Sequence, residues 1–197
     1  MCEFLVFGVL VVLNDADIRP SFIDFLSSKA VEPRKIIEEL HVHRGNAIAD
    51  VVSIHSEAHC YEIKGDNDQI NRILKQGPFY NKVFSKITLV TTEKKVKEAL
   101  DKAPSFWGII VAYRKEDKVK FRYVRKAVTN SNVNKELALS TLWKSEMTNL
   151  NCEHQLNIPE KIGKREFASQ LASRLSKLQI NRSIANLLAT REYSIYE

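Results

Sequence analysis

The chain has 197 residues, 44% of them hydrophobic and 27% charged, which is enough apolar matter for a buried core and too much for a disordered chain. Six glycines, 5 prolines and 3 scattered cysteines exclude collagen-like, low-complexity and disulfide-scaffold classes, so a reducing, cytoplasmic setting is expected. Thirty basic residues against 24 acidic ones give a net charge of +6, an excess that favours an anionic partner without choosing among nucleic acid, acidic lipid and phosphorylated metabolites.

Residues 1–13, MCEFLVFGVLVVL, form the most apolar stretch. It is shorter than the roughly 20 apolar residues a bilayer-spanning helix needs. Glu3 stands where a secretory signal would carry a base, so a docked strand or helical turn is expected and no membrane association. Asp15 is a candidate N-cap, Pro20 fits an early turn, and Ile18, Phe22, Phe25 and Leu26 recur at helical spacing, which predicts a helix over 16–28. A shorter helix is expected from Pro33 through Leu40. From Ala47 the period changes, and two strands rich in Val and Ile are predicted over 48–55 and 58–64. A helix follows over 66–85, bent or interrupted at Gly77-Pro78. Then come a strand over 86–92 and an amphipathic helix over 92–102. Strands over 107–113 and 119–124 should form a hairpin across the charged turn between them. Past a polar linker at 130–132, helical patterns cover 134–150, 164–177 and 181–192. The expected organisation is an α/β body over 1–126 with a helical extension over 127–197.

The chemistry concentrates between Asp50 and Lys64. Asp50 lies in an apolar strand, and Glu62 and Lys64 lie in the next, where a charged group is costly unless paired. Residues two apart share a strand face, so Glu62 and Lys64 point the same way. The midpoint of 50 and 62 is residue 56. A connection with an odd number of residues therefore sets Asp50 opposite Glu62, about 5 Å away at Cβ. A two-residue turn would pair it with Ile63 and send it to the wrong face. Two carboxylates so close repel unless a cation lies between them. A hard divalent ion such as Mg²⁺, with Mn²⁺ as a substitute, satisfies them through oxygen ligands, and the Ile63 carbonyl is a candidate third ligand. Lys64 could then orient water or stabilise charge at a phosphoryl oxygen, a constellation suited to phosphodiester hydrolysis.

Asp50 followed by Glu62-Ile63-Lys64 resembles the signature of the PD-(D/E)XK nuclease superfamily. The surroundings extend the likeness: Gly65-Asp66, Asp68, Arg72-Ile73-Leu74, Gln76 and Tyr80, then the strand Ile87-Thr88-Leu89-Val90. These are similar to a small bacterial and phage subfamily with E-I-K-x-D, R-L and Q-x-x-x-Y motifs. Arg44 stands where that subfamily carries an arginine ahead of its aspartate. Leu142-Trp143-Lys144-Ser145-Glu146, Arg165-Glu166-Phe167 and Leu171-Ala172 also look related. The resemblance runs from about residue 15 to 192. Two departures stand out: Ala49 rather than proline precedes Asp50, and residues 46–49 lack a second arginine.

The resemblance implies a restriction-endonuclease-like α/β fold: a mixed central sheet flanked by helices, with a C-terminal helical extension. It implies a Mg²⁺-dependent nuclease, endo- or exo-acting, with DNA as the expected substrate. Asp50 and Glu62, with Ile63, would hold the metal, and Lys64 would act in catalysis. A helix-borne glutamate, taken as Glu39, would complete the acidic cluster. Arg44, Arg72, Gln76 and Tyr80 would support the site or contact nucleic acid.

Blander readings stand beside these. Asp50, Glu62 and Lys64 could form a structural ion pair, Glu39 could be a solvated helix residue, and Gln76 and Tyr80 could simply pack. His41, His43, His55 and His59 lack zinc-ligand spacing. On the predicted hairpin, Lys118, Lys120 and Arg122 alternate with Val119, Phe121 and Tyr123, one basic face against one apolar face and a candidate phosphate track. Rival functions are a non-catalytic nucleic-acid-binding module and an interaction protein of a phage or defence system. In the latter, the helical extension would grip a partner or a second copy of the chain.

Overall fold

A computed structural model describes residues 12–192. Helix α1 spans Asp15–Ser27, and a six-stranded sheet runs in chain order: β1 (Lys35–Val42), β2 (Ala47–Ile54), β3 (Ala58–Lys64), β4 (Lys86–Thr92), β5 (Gly108–Lys115) and β6 (Lys118–Arg125). Pairing is antiparallel for β1–β2, β2–β3 and β5–β6, and parallel for β3–β4 and β4–β5. The two parallel steps need crossovers, supplied by α2 (Ile73–Val83) and α3 (Val96–Lys102). Helices α4 (Lys135–Leu139), α5 (Lys144–Glu153), α6 (Lys164–Arg174) and α7 (Lys177–Thr190) complete the chain. This is the mixed sheet flanked by helices, with C-terminal helices, that the resemblance implies. The expectation for residues 1–13 falls, save for Val12 and Leu13, outside the described residues. Among the described residues no helix is long and apolar enough to cross a membrane.

The two sheet faces are buried by different partners. Ile18, Phe22 and Leu26 of α1 cover one face, with the Phe22 ring 5.0 Å from Tyr61 and 5.2 Å from Phe121. The other face carries α2, α3 and all four C-terminal helices in one continuous core that includes Trp107, Tyr80, Phe167 and Leu188. Each such buried side chain contributes about 1.5–3 kcal/mol. The extension thus shares its core with the sheet.

Four local expectations are corrected. The segment from Pro33 to Leu40 is not a helix: Lys35–Val42 is edge strand β1, paired along β2. Its Ile36-Ile37 pair and Val42 favour a strand, and the long-range pairing decides. The cap of α1 is Asn14, which closes a reciprocal capping box with Asp17. The pattern over 134–150 splits into α4 and α5, because the Trp143 backbone turns extended and Glu146 caps the new helix start. Conversely, α2 continues through Pro78. An added Cβ at Gly77 would press the Trp107 ring at 3.2 Å, so glycine there allows the tryptophan to pack.

Candidate active site

The β2–β3 connection has three residues, 55–57, and the ladder pairs Val51 with Tyr61 and Ile54 with Ala58. That register sets Asp50 against Glu62, as the odd-length connection predicts, but the ladder stops one residue short. Asp50 Oδ2 instead accepts the Ile63 N–H at 2.7 Å, so a side chain replaces the strand partner where β2 and β3 part. A kink sits at the same level on the other side. The β1–β2 ladder skips Glu39 and Asp50, Glu39 has φ of 52°, and the apolar alternation shifts by one. Ile37 precedes Leu40, and Val52 follows Ala49, within the same core face. Such a shift re-aims side chains, as bulges beside active sites do.

Glu62 is 0% exposed and Lys64 6% exposed. Lys64 Nζ donates to Glu62 Oε1 at 2.5 Å and to the Ile63 carbonyl at 3.1 Å. The Tyr80 hydroxyl lies 2.7 Å from Glu62 Oε2 and 2.6 Å from the Ile48 carbonyl, and its one proton serves one of them at a time. Burial and the neighbouring Glu62 push the Tyr80 phenol far up, so it stays protonated as a donor. Gln76 Nε2 is 3.4 Å from that hydroxyl, while Gln76 Oε1 is buried without a hydrogen-bond partner among the described residues. The unbroken α2 helix puts this pair on one face.

The Asp50 side chain is 21% exposed. Desolvation, then repulsion from Glu62, raise its carboxyl from 3.8 to about 6, against the opposing pull of the Ile63 N–H, Lys64 and Arg19. Ionising Asp50 in this pocket is therefore unfavourable, by burial first and by Glu62 second. Its donors suit a hard divalent cation: the Asp50 carboxylate, the Glu62 carboxylate and the Ile63 carbonyl, with Lys64 already drawing together the last two. Among the described residues no group of three His, Cys, Asp or Glu side chains is arranged to hold a metal. An ion such as Mg²⁺ would complete its shell with water or phosphate oxygens.

Glu39 does not complete the cluster from a helix. It lies on β1 and pairs with Arg19 at 3.2 Å. Sequence reasoning missed Arg19, whose guanidinium leaves α1 to meet Asp15 at 3.0 Å, Glu39, and Asp50 at 3.8 Å. The only sequence signal was its i,i+4 spacing from Asp15, which says nothing of β1 or β2. Arg44 sits exposed in the β1–β2 turn at φ 61°, and Arg72 is exposed ahead of α2; no contact ties either to the carboxylates. Asp66 and Asp68 hold backbone in place. Asp66 Oδ2 accepts the Leu13 N–H, and Asp68 Oδ2 accepts the Gly65 N–H. At Gly65 a Cβ would meet the Leu13 carbonyl at 2.6 Å, so only glycine lets the chain ahead of α1 cross there.

Comparison with known proteins gives three findings. A solved protein of unknown function from Silicibacter pomeroyi aligns with a TM-score of 0.40 and 15% identity, covering 65% of this chain and 82% of that one. A likeness of that size carries no inference. Protein cII of Enterobacteria phage P4 is 24% identical over 184 residues, 93% of this chain and 69% of that protein. The family model for bacteriophage P4 protein cII matches residues 11–195. By that match over nearly its whole length, the chain belongs to the bacteriophage P4 protein cII family.

Proposed function

We propose that the protein is a metal-dependent nuclease of the PD-(D/E)XK type that hydrolyses phosphodiester bonds in DNA, acting in the cytoplasm of a phage-infected or phage-carrying cell. One observation carries the reading. A fully buried Glu62 is clasped between Lys64 Nζ and the Tyr80 hydroxyl, with Asp50 set against it where β2 and β3 part. Burying that much negative charge is unfavourable for a fold that makes no use of it.

Asp50, Glu62 and the Ile63 carbonyl would hold Mg²⁺, which when bound would neutralise phosphoryl charge and lower the pKa of a bound water. Hydrolysis adds a water oxygen to phosphorus and breaks the bond to the leaving sugar oxygen, which takes up a proton. Lys64 would donate to a phosphoryl oxygen and stabilise its growing charge. Tyr80 would keep Glu62 oriented, and the unpartnered Gln76 Oε1 would accept from the attacking water. Arg19 would hold Asp50 from the α1 side. On β6, Lys118, Lys120 and Arg122 are exposed while Val119 and Phe121 pack toward α1, which supports the phosphate-track reading of that strand.

A second reading, a nucleic-acid binder without cleavage, draws on one observation: Arg19 ties up Glu39 and leaves two carboxylates in the pocket. Incubation of labelled DNA and RNA with Mg²⁺ or Mn²⁺ separates the readings. The nuclease cuts DNA, loses the activity to a chelator, and loses it in Glu62→Ala. Salt-sensitive binding with intact strands in both metals would leave only the binder.

A further inference from the structure

A separate cavity of about 520 Å³ opens between the β1–β2 turn and the helical extension, within the size range of small-ligand pockets. Arg44, Lys164 and Arg165 line it. Arg44 and Arg165 are exposed and have no hydrogen-bond or ion-pair partner among the described residues. Lys164 and Arg165 open helix α6, whose N-cap Gly163 offers no side-chain cap. Glu166 is the acidic residue of that first turn, and the uncapped N–H groups beside Lys164 and Arg165 leave the helix start open to a further anion. Lys164 Nζ donates to the Ser140 carbonyl at 3.0 Å, and burial, then the nearby Arg191, lower its pKa against the opposing pull of Glu146.

An independent observation also points to a ligand. Thr141 lines the cavity, is only 6% exposed, and its Oγ1 has no hydrogen-bond partner among the described residues. Buried hydroxyls are normally satisfied, so this one calls for a polar group from outside. Glu39, His41 and Ser140 add polar groups, and one wall is apolar: Leu40, Ala168 and the Trp143 indole, 46% exposed with the Arg191 guanidinium 4.4 Å from its ring centre. A bare inorganic anion would make no use of that wall, whereas a planar heterocycle would.

We propose that this cavity binds a nucleoside phosphate, with the phosphate at the start of α6 against Lys164, Arg165 and Arg44 and the base on the Trp143 wall. The ligand is either a free nucleotide or the 5′-phosphorylated end of a strand. The assignment does not depend on cleavage at Glu62, although Glu39 lines the cavity while pairing with the Arg19 that reaches Asp50.

Isothermal titration in the presence of a chelator, so that nothing is cut, tests it. The probes are dAMP, deoxyadenosine, inorganic phosphate, and a short oligodeoxynucleotide with and without a 5′ phosphate. Binding of dAMP at least about tenfold tighter than phosphate or deoxyadenosine identifies a free-nucleotide pocket. Binding confined to the phosphorylated oligonucleotide identifies a strand-end pocket. In either case Arg44→Ala/Arg165→Ala should weaken binding about tenfold or more, because it removes two exposed phosphate contacts. Lys94→Ala/Lys97→Ala, which removes equal charge outside the cavity, should bind like the parent. No binding of any phosphorylated probe, or equal weakening by both double variants, would overturn the proposal.

Discussion

Two glutamates are buried against a basic side chain in this fold, and the two pairs are held in opposite ways. Glu146 meets Arg191 through two parallel bonds, Nε to Oε1 at 2.7 Å and Nη2 to Oε2 at 2.5 Å. The same carboxylate caps α5 at the Trp143 N–H, and Arg191 also donates to the Thr141 carbonyl. A planar fork with its partners in place is a fixed structural tie between α5 and the chain after α7. Glu62 instead meets Lys64, a point charge on a flexible stem. Two of its three N–H donors are used, and the third has no acceptor among the described residues. A second carboxylate, Asp50, stands beside it, raised to about 6 by burial and then by Glu62, with the Arg19 guanidinium 3.8 Å away. The first pair is a finished interaction and the second is incomplete, which is the state expected of groups that act on something else.

The contrast can be broken most sharply at the two glutamates. Glu62→Gln should lower Mg²⁺-dependent cleavage by about a thousandfold, the scale of losing ~4 kcal/mol of transition-state stabilisation, while circular dichroism shows the fold retained. Glu146→Gln strands the buried Arg191 and should lower unfolding free energy by about 3–5 kcal/mol in urea titration. If both substitutions acted mainly on stability, the two pairs would be of one kind.

Next is the pH response of the incomplete pair. Below about pH 4 Asp50 carries its proton in both the native and unfolded states. Between 3.8 and about 6 the native state keeps a proton the unfolded chain has released, and above 6 it must ionise beside Glu62. Its contribution to stability is therefore full below the unfolded value and lost as pH rises through about 6. Asp50→Asn should stabilise the metal-free protein by ~1–3 kcal/mol at pH 8 and by little at pH 4. A gain independent of pH would mean that burial and Glu62 do not strain Asp50. The smallest effect is at the hydroxyl. Tyr80→Phe leaves Glu62 Oε2 and the Ile48 carbonyl without their donor and should cost about 1–2 kcal/mol of stability.

Much of this was legible in the sequence because it rests on short-range parity. The odd length of the β2–β3 connection follows from the sum of two residue numbers, and strands β2 and β4 follow from their Val, Ile and Thr residues. The shared face of Glu62 and Lys64 is a period-two consequence. What was not legible depended on partners far along the chain. The segment from Pro33 through Leu40 reads as a short helix, yet Lys35–Val42 is a strand because β2 lies beside it. Glu39 is drawn to Arg19, a residue twenty positions earlier, through a kink that no local pattern announces. The cavity at α6 assembles from segments more than a hundred residues apart, so only tertiary packing brings its cations together.

Lys64→Ala tests the central claim most directly, with Mg²⁺ affinity and DNA cleavage measured on the same preparation. The substitution leaves Asp50, Glu62 and the Ile63 carbonyl in place and removes the ammonium that occupies two of those oxygens. The account predicts Mg²⁺ affinity equal to or above that of the parent, with cleavage lost by about a hundredfold or more. A Lys64→Ala protein that binds Mg²⁺ and cuts DNA at the parental rate would contradict it.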